Sequence, residues 1–294
     1  ATPATSFGNA TSISIDLDNG GAESQGLIQF SNLFGSGIGQ IPFGSTIDSA
    51  SLTVYAFDTS VSGTTISLYQ MLTSWNETAT WNSTTGGLQR DNVEVSSAAD
   101  SIVTTADFTG PQTFFGLEST LQSWSDGATN NGWAVFTDSV DGWDFYSSEH
   151  TTVGQRPALT ISFTAPQPSS IDLDANDSSG QTGANFAAAF TEDGGPVAIA
   201  DVDASILDTD SSSLISLTVT IANLLDGAAE VLAADTSGTS IGAFYDNGTG
   251  VMTLSGSDSL ANYQQVLRTV TYDNTSQSPD TTSRVITFIA NDGI

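Results

Sequence analysis

Apolar and polar side chains alternate along short runs of this chain. The clearest are Ser51-Leu52-Thr53-Val54-Tyr55-Ala56-Phe57, Thr65-Ile66-Ser67-Leu68-Tyr69, Trp133-Ala134-Val135-Phe136, Leu217-Thr218-Val219-Thr220-Ile221 and Val285-Ile286-Thr287-Phe288-Ile289. Period two places every second side chain on one face, as a half-buried strand requires. Clusters of Gly, Asn, Asp and Ser break these runs at about the 8–12-residue spacing of sandwich proteins. Helical spacing is confined to residues 117–124, with Leu117, Leu121 and Trp124 in phase, and to residues 260–267. Two prolines within Ala165-Pro166-Gln167-Pro168-Ser169-Ser170 make a short extended connector. The pattern predicts an all-β chain of two tandem β-sandwiches, residues 1–165 and 171–294, joined by a linker at 166–170.

Composition narrows the chemistry. The 294 residues include 33 acidic and 4 basic side chains, one His and no Cys, for a formal charge of −29. Phosphate recognition needs clustered cations, so nucleic acid is excluded as a partner, and an anionic bilayer surface is disfavoured on the same ground. All four basic residues are arginines (Arg90, Arg156, Arg268, Arg284). Without Lys there is no Schiff-base or P-loop chemistry, and without Cys no disulfide, thiolate nucleophile or cysteine–zinc site. Fifteen Phe and five Trp argue against the disorder that an acidic, polar composition would otherwise suggest. No run reaches the ~20 apolar residues of a membrane span, and no basic-then-apolar leader opens the chain. It reads as a mature or excised piece of a secreted or cell-surface protein.

An ordered series of short motifs marks residues 1–165. It runs from Ser6-Phe7-Gly8-Asn9 and the acidic turn Asp16-Leu17-Asp18-Asn19-Gly20-Gly21 to Ile41-Pro42-Phe43-Gly44 and Ser74-Trp75-Asn76-Glu77 with Thr80-Trp81-Asn82. Leu121-Gln122-Ser123-Trp124, Asn131-Gly132-Trp133, Tyr146-Ser147-Ser148-Glu149 and Arg156-Pro157-Ala158-Leu159-Thr160 complete it. This series resembles the DNRLRE, or disaggregatase-related, modules of large secreted bacterial and archaeal proteins. The resemblance implies a jelly-roll-like sandwich, core positions for Trp75, Trp81, Trp124 and Trp133, and a structural role for Arg156. Some members of that family are carbohydrate-binding modules for acidic polysaccharides, which they hold with basic side chains. Here only Arg90 and Arg156 are basic, so the expected ligand is a neutral or cation-bridged polysaccharide. Trp143 and Tyr146, on a polar stretch with Asp138, Asp141 and Asp144, are the candidate aromatic platform for sugar rings. For Trp143, core packing remains an equal alternative.

Residues 171–294 carry Asp172-Leu173-Asp174-Ala175-Asn176-Asp177, Phe190-Thr191-Glu192-Asp193-Gly194-Gly195, Asp201-Val202-Asp203, Asp208-Thr209-Asp210 and Ile289-Ala290-Asn291-Asp292-Gly293. These resemble a cadherin-like tandem repeat of bacterial surface proteins, with an Ig/cadherin-like sandwich fold. Such repeats continue with one more strand, so the last strand is expected to be missing. Asp-x-Asp pairs in Gly-rich loops supply the six to eight oxygens that Ca²⁺ takes. The candidate ligands are Glu192, Asp201, Asp203, Asp208 and Asp210, with Asp174 and Asp177. A solvated acidic face is the competing reading. For Asp16 and Asp18 the two readings are balanced.

Asn9, Asn76, Asn82, Asn176, Asn247 and Asn274 each open an Asn-x-Ser/Thr sequon. His150 follows Ser147-Ser148-Glu149, but sequence neighbours on a strand point to opposite faces and make no triad, so no catalytic residue is assigned. The leading expectation is a non-enzymatic extracellular structural or adhesive protein, stiffened by Ca²⁺. It would join copies of itself or neighbouring repeats by strand addition, head to tail, into a filament. The alternative is a carbohydrate-binding module of a larger secreted polysaccharide-active or adhesin protein. An enzyme acting alone is the least supported of the three.

Overall fold

The computed structural model describes residues 3–18, 22–60, 63–84, 86–104 and 109–293. Asn19, Gly20 and Gly21 of the acidic turn lie outside the described residues, as does Ile294. The chain is mostly antiparallel β in two sandwich-like regions. It divides into two compact units, Ala1–Pro166 and Gln167–Ile294.

The first unit contains β1 (Ser12–Ile15), β2 (Gly26–Ile28), β3 (Thr46–Asp58), β4 (Thr65–Gln70), β5 (Ser101–Thr104), β6 (Gly110–Phe115), α1 (Glu118–Ser125), β7 (Trp133–Thr137), β8 (Trp143–Tyr146) and β9 (Ala158–Thr164). One sheet runs β1-β8-β3-β6, with β9 also paired to β3; the other runs β2-β7-β4-β5. Alternation decides what is buried. Leu52, Val54 and Ala56 of β3 face Ile66 and Leu68 of β4 and Trp133 and Val135 of β7 across a single core. Helix α1 adds Leu121 and Trp124 to it, and closes an edge as well. Gln122 Oε1 accepts the Ile47 N–H and Glu118 Oε1 accepts the Ala50 N–H, both at 2.9 Å. These amides sit where β3 has run past the end of β6, which pairs only Ser51 to Ala56. Gly132 (φ +73°) ends the turn before β7, and any Cβ there would collide with the Ile28 carbonyl oxygen. Only glycine lets β7 start so close to β2.

Of the tryptophans expected in the core, Trp124 and Trp133 are there, with ring centroids 4.8 Å apart. Trp75 is only half-buried. It packs on a smaller cluster of Met71, Leu88, Val95, Ala134 and Phe136 on the outer side of the second sheet. Trp81 is half-buried in a 3₁₀ turn and joins neither cluster.

The second unit contains β10 (Ser170–Asp172), β11 (Val197–Ala198), β12 (Ser205–Leu207), β13 (Ser213–Ile221), β14 (Glu230–Ala233), β15 (Gly242–Asp246), β16 (Val251–Ser259), α2 (Leu260–Leu267), β17 (Thr271–Asn274) and β18 (Ile286–Asn291). The sheets are β15-β16-β13-β18 and β11-β17-β14, with β10 and β12 forming a separate antiparallel pair. Leu217, Val219 and Ile221 of β13, Met252 and Leu254 of β16, and Tyr263, Val266 and Leu267 of α2 meet in its core. Ser259 caps α2 by accepting the Asn262 N–H, which satisfies one of the free amides of the first turn.

Candidate functional site

On β8 the two proposed sugar-binding aromatics part company. Strand periodicity sends Trp143 and Phe145 inward and Asp144 and Tyr146 outward. Trp143 is 2% exposed, with its ring 5.1 Å from that of Phe145. No face of it is open to a sugar, so its reading as a platform is corrected to core packing.

Tyr146 stands on the outer face of the first sheet beside Tyr55 and Phe57 of β3. Its ring lies 4.6 Å from Phe57 and 3.7 Å from His150, with interplanar angles of 18° and 15°. Two rings that close and that parallel cannot share one side of the phenol, so Tyr146 is sandwiched between them. Tyr55 extends the stack at 6.0 Å. Tyr146 therefore offers an edge where stacking on a pyranose needs an open ring face. Arg156 holds the loop behind this stack, its Nε donating to the His150 carbonyl at 2.7 Å.

The acidic positions of the second unit converge in two places, and antiparallel pairing explains both. β10 and β12 run in opposite directions. The residues after β10 therefore meet those before β12, and the residues after β12 meet those before β10. At one end, carboxylate oxygens of Asp174, Asp201 and Asp203 lie within 4.8 Å of one another. At the other end, Asp208 and Asp210 form such a group with Asp292, which follows β18. Three carboxylates at that spacing, all hard oxygen donors, could hold a divalent cation such as Ca²⁺.

Hydrogen bonds pre-shape both groups. Asp174 is fully buried and accepts the Ser178 and Ser179 N–H groups at 3.0 and 2.8 Å. Bonds from Ser179 above all, working against burial, hold its carboxyl below the usual range. For Asp208 burial raises the carboxyl, but bonds from Ser169, Ser211 and Asp210 outweigh it and set it at about 2. Asp174 and Asp208 are therefore both ionised at neutral pH.

Four other candidates fall outside these groups. Glu192 and Asp177 are exposed and belong to neither. Asp16 accepts the Asp18 N–H at 2.8 Å in a local turn, and among the described residues the two join no third acidic ligand. No local pattern marks Asp292 as a ligand, because only the β13–β18 pairing carries it to the Asp208 end. Five sequon asparagines (Asn9, Asn76, Asn82, Asn176, Asn247) are exposed. Asn274 is buried and donates its amide to Asp226 at 2.7 Å, so in the folded chain it is closed to modification.

A shallow cleft of about 290 Å³ lies at one end of the first sandwich, walled by Phe34, Phe43 and Trp124 with Asn32 and Thr129.

Residues 1–163 match the model of carbohydrate-binding module family 96. That is more than half of the chain, and the chain belongs to this family. The match ends before the second unit and does not assign it. No curated protein matches the chain. Among the described residues no helix is long and apolar enough to cross a membrane.

Proposed function

We propose that the chain is the carbohydrate-binding part of a larger secreted protein. In this reading residues 1–163 hold a neutral or cation-bridged polysaccharide, and residues 171–294 form a cadherin-like, calcium-stabilised companion unit. The family match over the whole first sandwich carries the proposal. It favours the binding-module reading over the filament, which rested on where the chain starts and stops. The absence of any Lys, with Arg156 committed to the His150 carbonyl, supports a ligand that does not depend on a basic surface. The calcium role is supported by the two groups of converging carboxylates. Affinity electrophoresis of the full chain through gels containing soluble neutral or acidic polysaccharides, with and without Ca²⁺, tests the binding. Retardation by at least one neutral polysaccharide, or by an acidic one only with Ca²⁺, is expected. Unretarded migration in every gel would refute it.

A further inference from the structure

With both aromatics read from the sequence closed to a sugar, the outer face of the second sheet of the first unit becomes the surface of interest. Thr65, Ser67 and Tyr69 of β4 project from it, and so do Ala134 and Phe136 of β7, because Ile66, Leu68, Trp133 and Val135 take the core side. Register pairs Ser67 with Phe136 and Tyr69 with Ala134. The connection between β4 and β5 folds back over part of this face and delivers Arg90. Its guanidinium lies 5.2 Å from the Tyr69 ring centroid and 5.0 Å from that of Phe136, with Nη1 donating to the Tyr69 hydroxyl at 3.1 Å. Two aromatic rings thus hold a cation in place at the sheet surface. Among the described residues only Arg284 forms ion pairs, so Arg90 has no carboxylate partner.

Arg90, Phe136, Thr65, Ser67, Asp138 and Leu17 line a groove of about 200 Å³. Asp138 Oδ1 is engaged by the Thr65 N–H at 2.8 Å. Among the described residues its Oδ2, the hydroxyls of Thr65 and Ser67, and the rest of the Arg90 fork make no hydrogen bond. The groove therefore combines a guanidinium donor seated on Phe136, a charged acceptor, the hydroxyls of Thr65 and Ser67 and an apolar wall from Leu17. A few placed polar groups against an apolar surface is the general composition of small-molecule sites.

We infer that this groove is the subsite for one neutral sugar residue of a polysaccharide, on the reading of the first unit as a carbohydrate-binding module. Arg90, seated over the Phe136 ring, donates to a pair of adjacent ring hydroxyls, Asp138 Oδ2 accepts from a hydroxyl, and the C–H face of the ring lies on the exposed Leu17. The groove is smaller than the ~300–1,000 Å³ of drug-sized sites, so it takes one residue of a chain. Its charges decide the class of sugar. One cation and one anion cancel locally, and the net charge of −29 opposes the approach of any polyanion.

Titration calorimetry of the full chain against soluble neutral polysaccharides and an acidic one tests this, using Arg90→Met, Asp138→Asn and Phe43→Ala. Methionine keeps apolar bulk over the two rings without donors, and asparagine keeps the acceptor for the Thr65 N–H. Tryptophan fluorescence reports whether each variant is folded. Neutral-polysaccharide affinity is expected to fall tenfold or more for Arg90→Met and for Asp138→Asn, and to stay within twofold for Phe43→Ala in the separate end cleft. Should Arg90→Met not fold, Asp138→Asn alone decides. Folded groove variants that bind as wild type would overturn the subsite and leave the module reading standing. Binding by wild type to the acidic polysaccharide alone would overturn the choice of a neutral sugar. Binding to none of them would overturn the module reading and the subsite with it.

Discussion

Arg284 and Glu230 meet at 2.6 Å inside the second unit, and the same guanidinium nitrogen lies 2.6 Å from Asp226. The Glu230 side chain is wholly buried, and its Oε2 has no hydrogen-bond partner. Removing the arginine would leave a buried carboxyl group in the interior with its main compensation gone. Loss of one member of a buried ion pair costs about 3–5 kcal/mol. Arg284→Met should therefore destabilise the second unit by about that much. All five tryptophans precede residue 166. The loss should thus appear in calorimetry and far-UV circular dichroism, while the tryptophan-detected melt stays in place. A tryptophan-detected melt displaced as far as the calorimetric one would contradict this account.

Trp143 tests the corrected aromatic assignment. Truncating a buried Trp to Ala costs about 3–5 kcal/mol, so Trp143→Ala should lower the denaturation midpoint of the first unit sharply. Trp143→Phe keeps most of the buried area and should bind polysaccharide as the wild type does. A folded Trp143→Phe protein with binding abolished would return Trp143 to the ligand surface.

Calcium should raise the melting temperature of the second unit. A site that binds only the folded chain adds about 2.7 kcal/mol when free Ca²⁺ is a hundred times its Kd. Asp201→Asn and Asp208→Asn should each remove part of that gain. Glu192→Gln and Asp177→Asn, which lie outside both carboxylate groups, should remove none. A melt that calcium and chelator leave unchanged would eliminate the metal role.

Asp258 provides a pH signature. Its carboxylate accepts the N–H groups of Ser240 and Ser259, each at 2.8 Å. Those bonds, from Ser240 first, hold it below the usual value. A depressed folded-state value adds stability above the unfolded pKa of about 3.9, and the gain disappears as pH falls through the folded value. Asp258→Asn should therefore melt below wild type at pH 7, by a margin that is constant down to about pH 5. That margin should shrink below about pH 4. Thermal melts of the two proteins across this range check it, and a margin unchanged at pH 2 would refute the linkage.

Strand periodicity carried most of the architecture, because a face that must be buried leaves its mark at every second residue. β3, β4, β7 and β13 each contain one of the alternating runs and β18 overlaps another, and both short helices sit where the helical spacing places them. The same alternation held the answer for Trp143. Phe145, two residues on, is apolar, and period two sends both rings to the core. What sequence could not supply was adjacency between distant segments. Asp292 reaches Asp208 only through the pairing of β18 with β13. The sandwiching of Tyr146 depends on Phe57 from β3 and His150 from a later loop. Arg90 comes to rest on Tyr69 and Phe136 because a long connection folds back over its own sheet, and no local pattern announces that.

The pairing of β3 with β9 sets the order in which the first unit can be finished. Thr53 pairs with Ala158 and Thr46 with Thr164, more than a hundred positions later. Pairings this remote in sequence belong to the slow, millisecond-to-second class of folding domains. A chain emerging from a ribosome or a secretion pore amino end first must hold one side of β3 unpaired until Thr164 has come through. The first sandwich closes as a late event, when nearly its whole length is already on the far side.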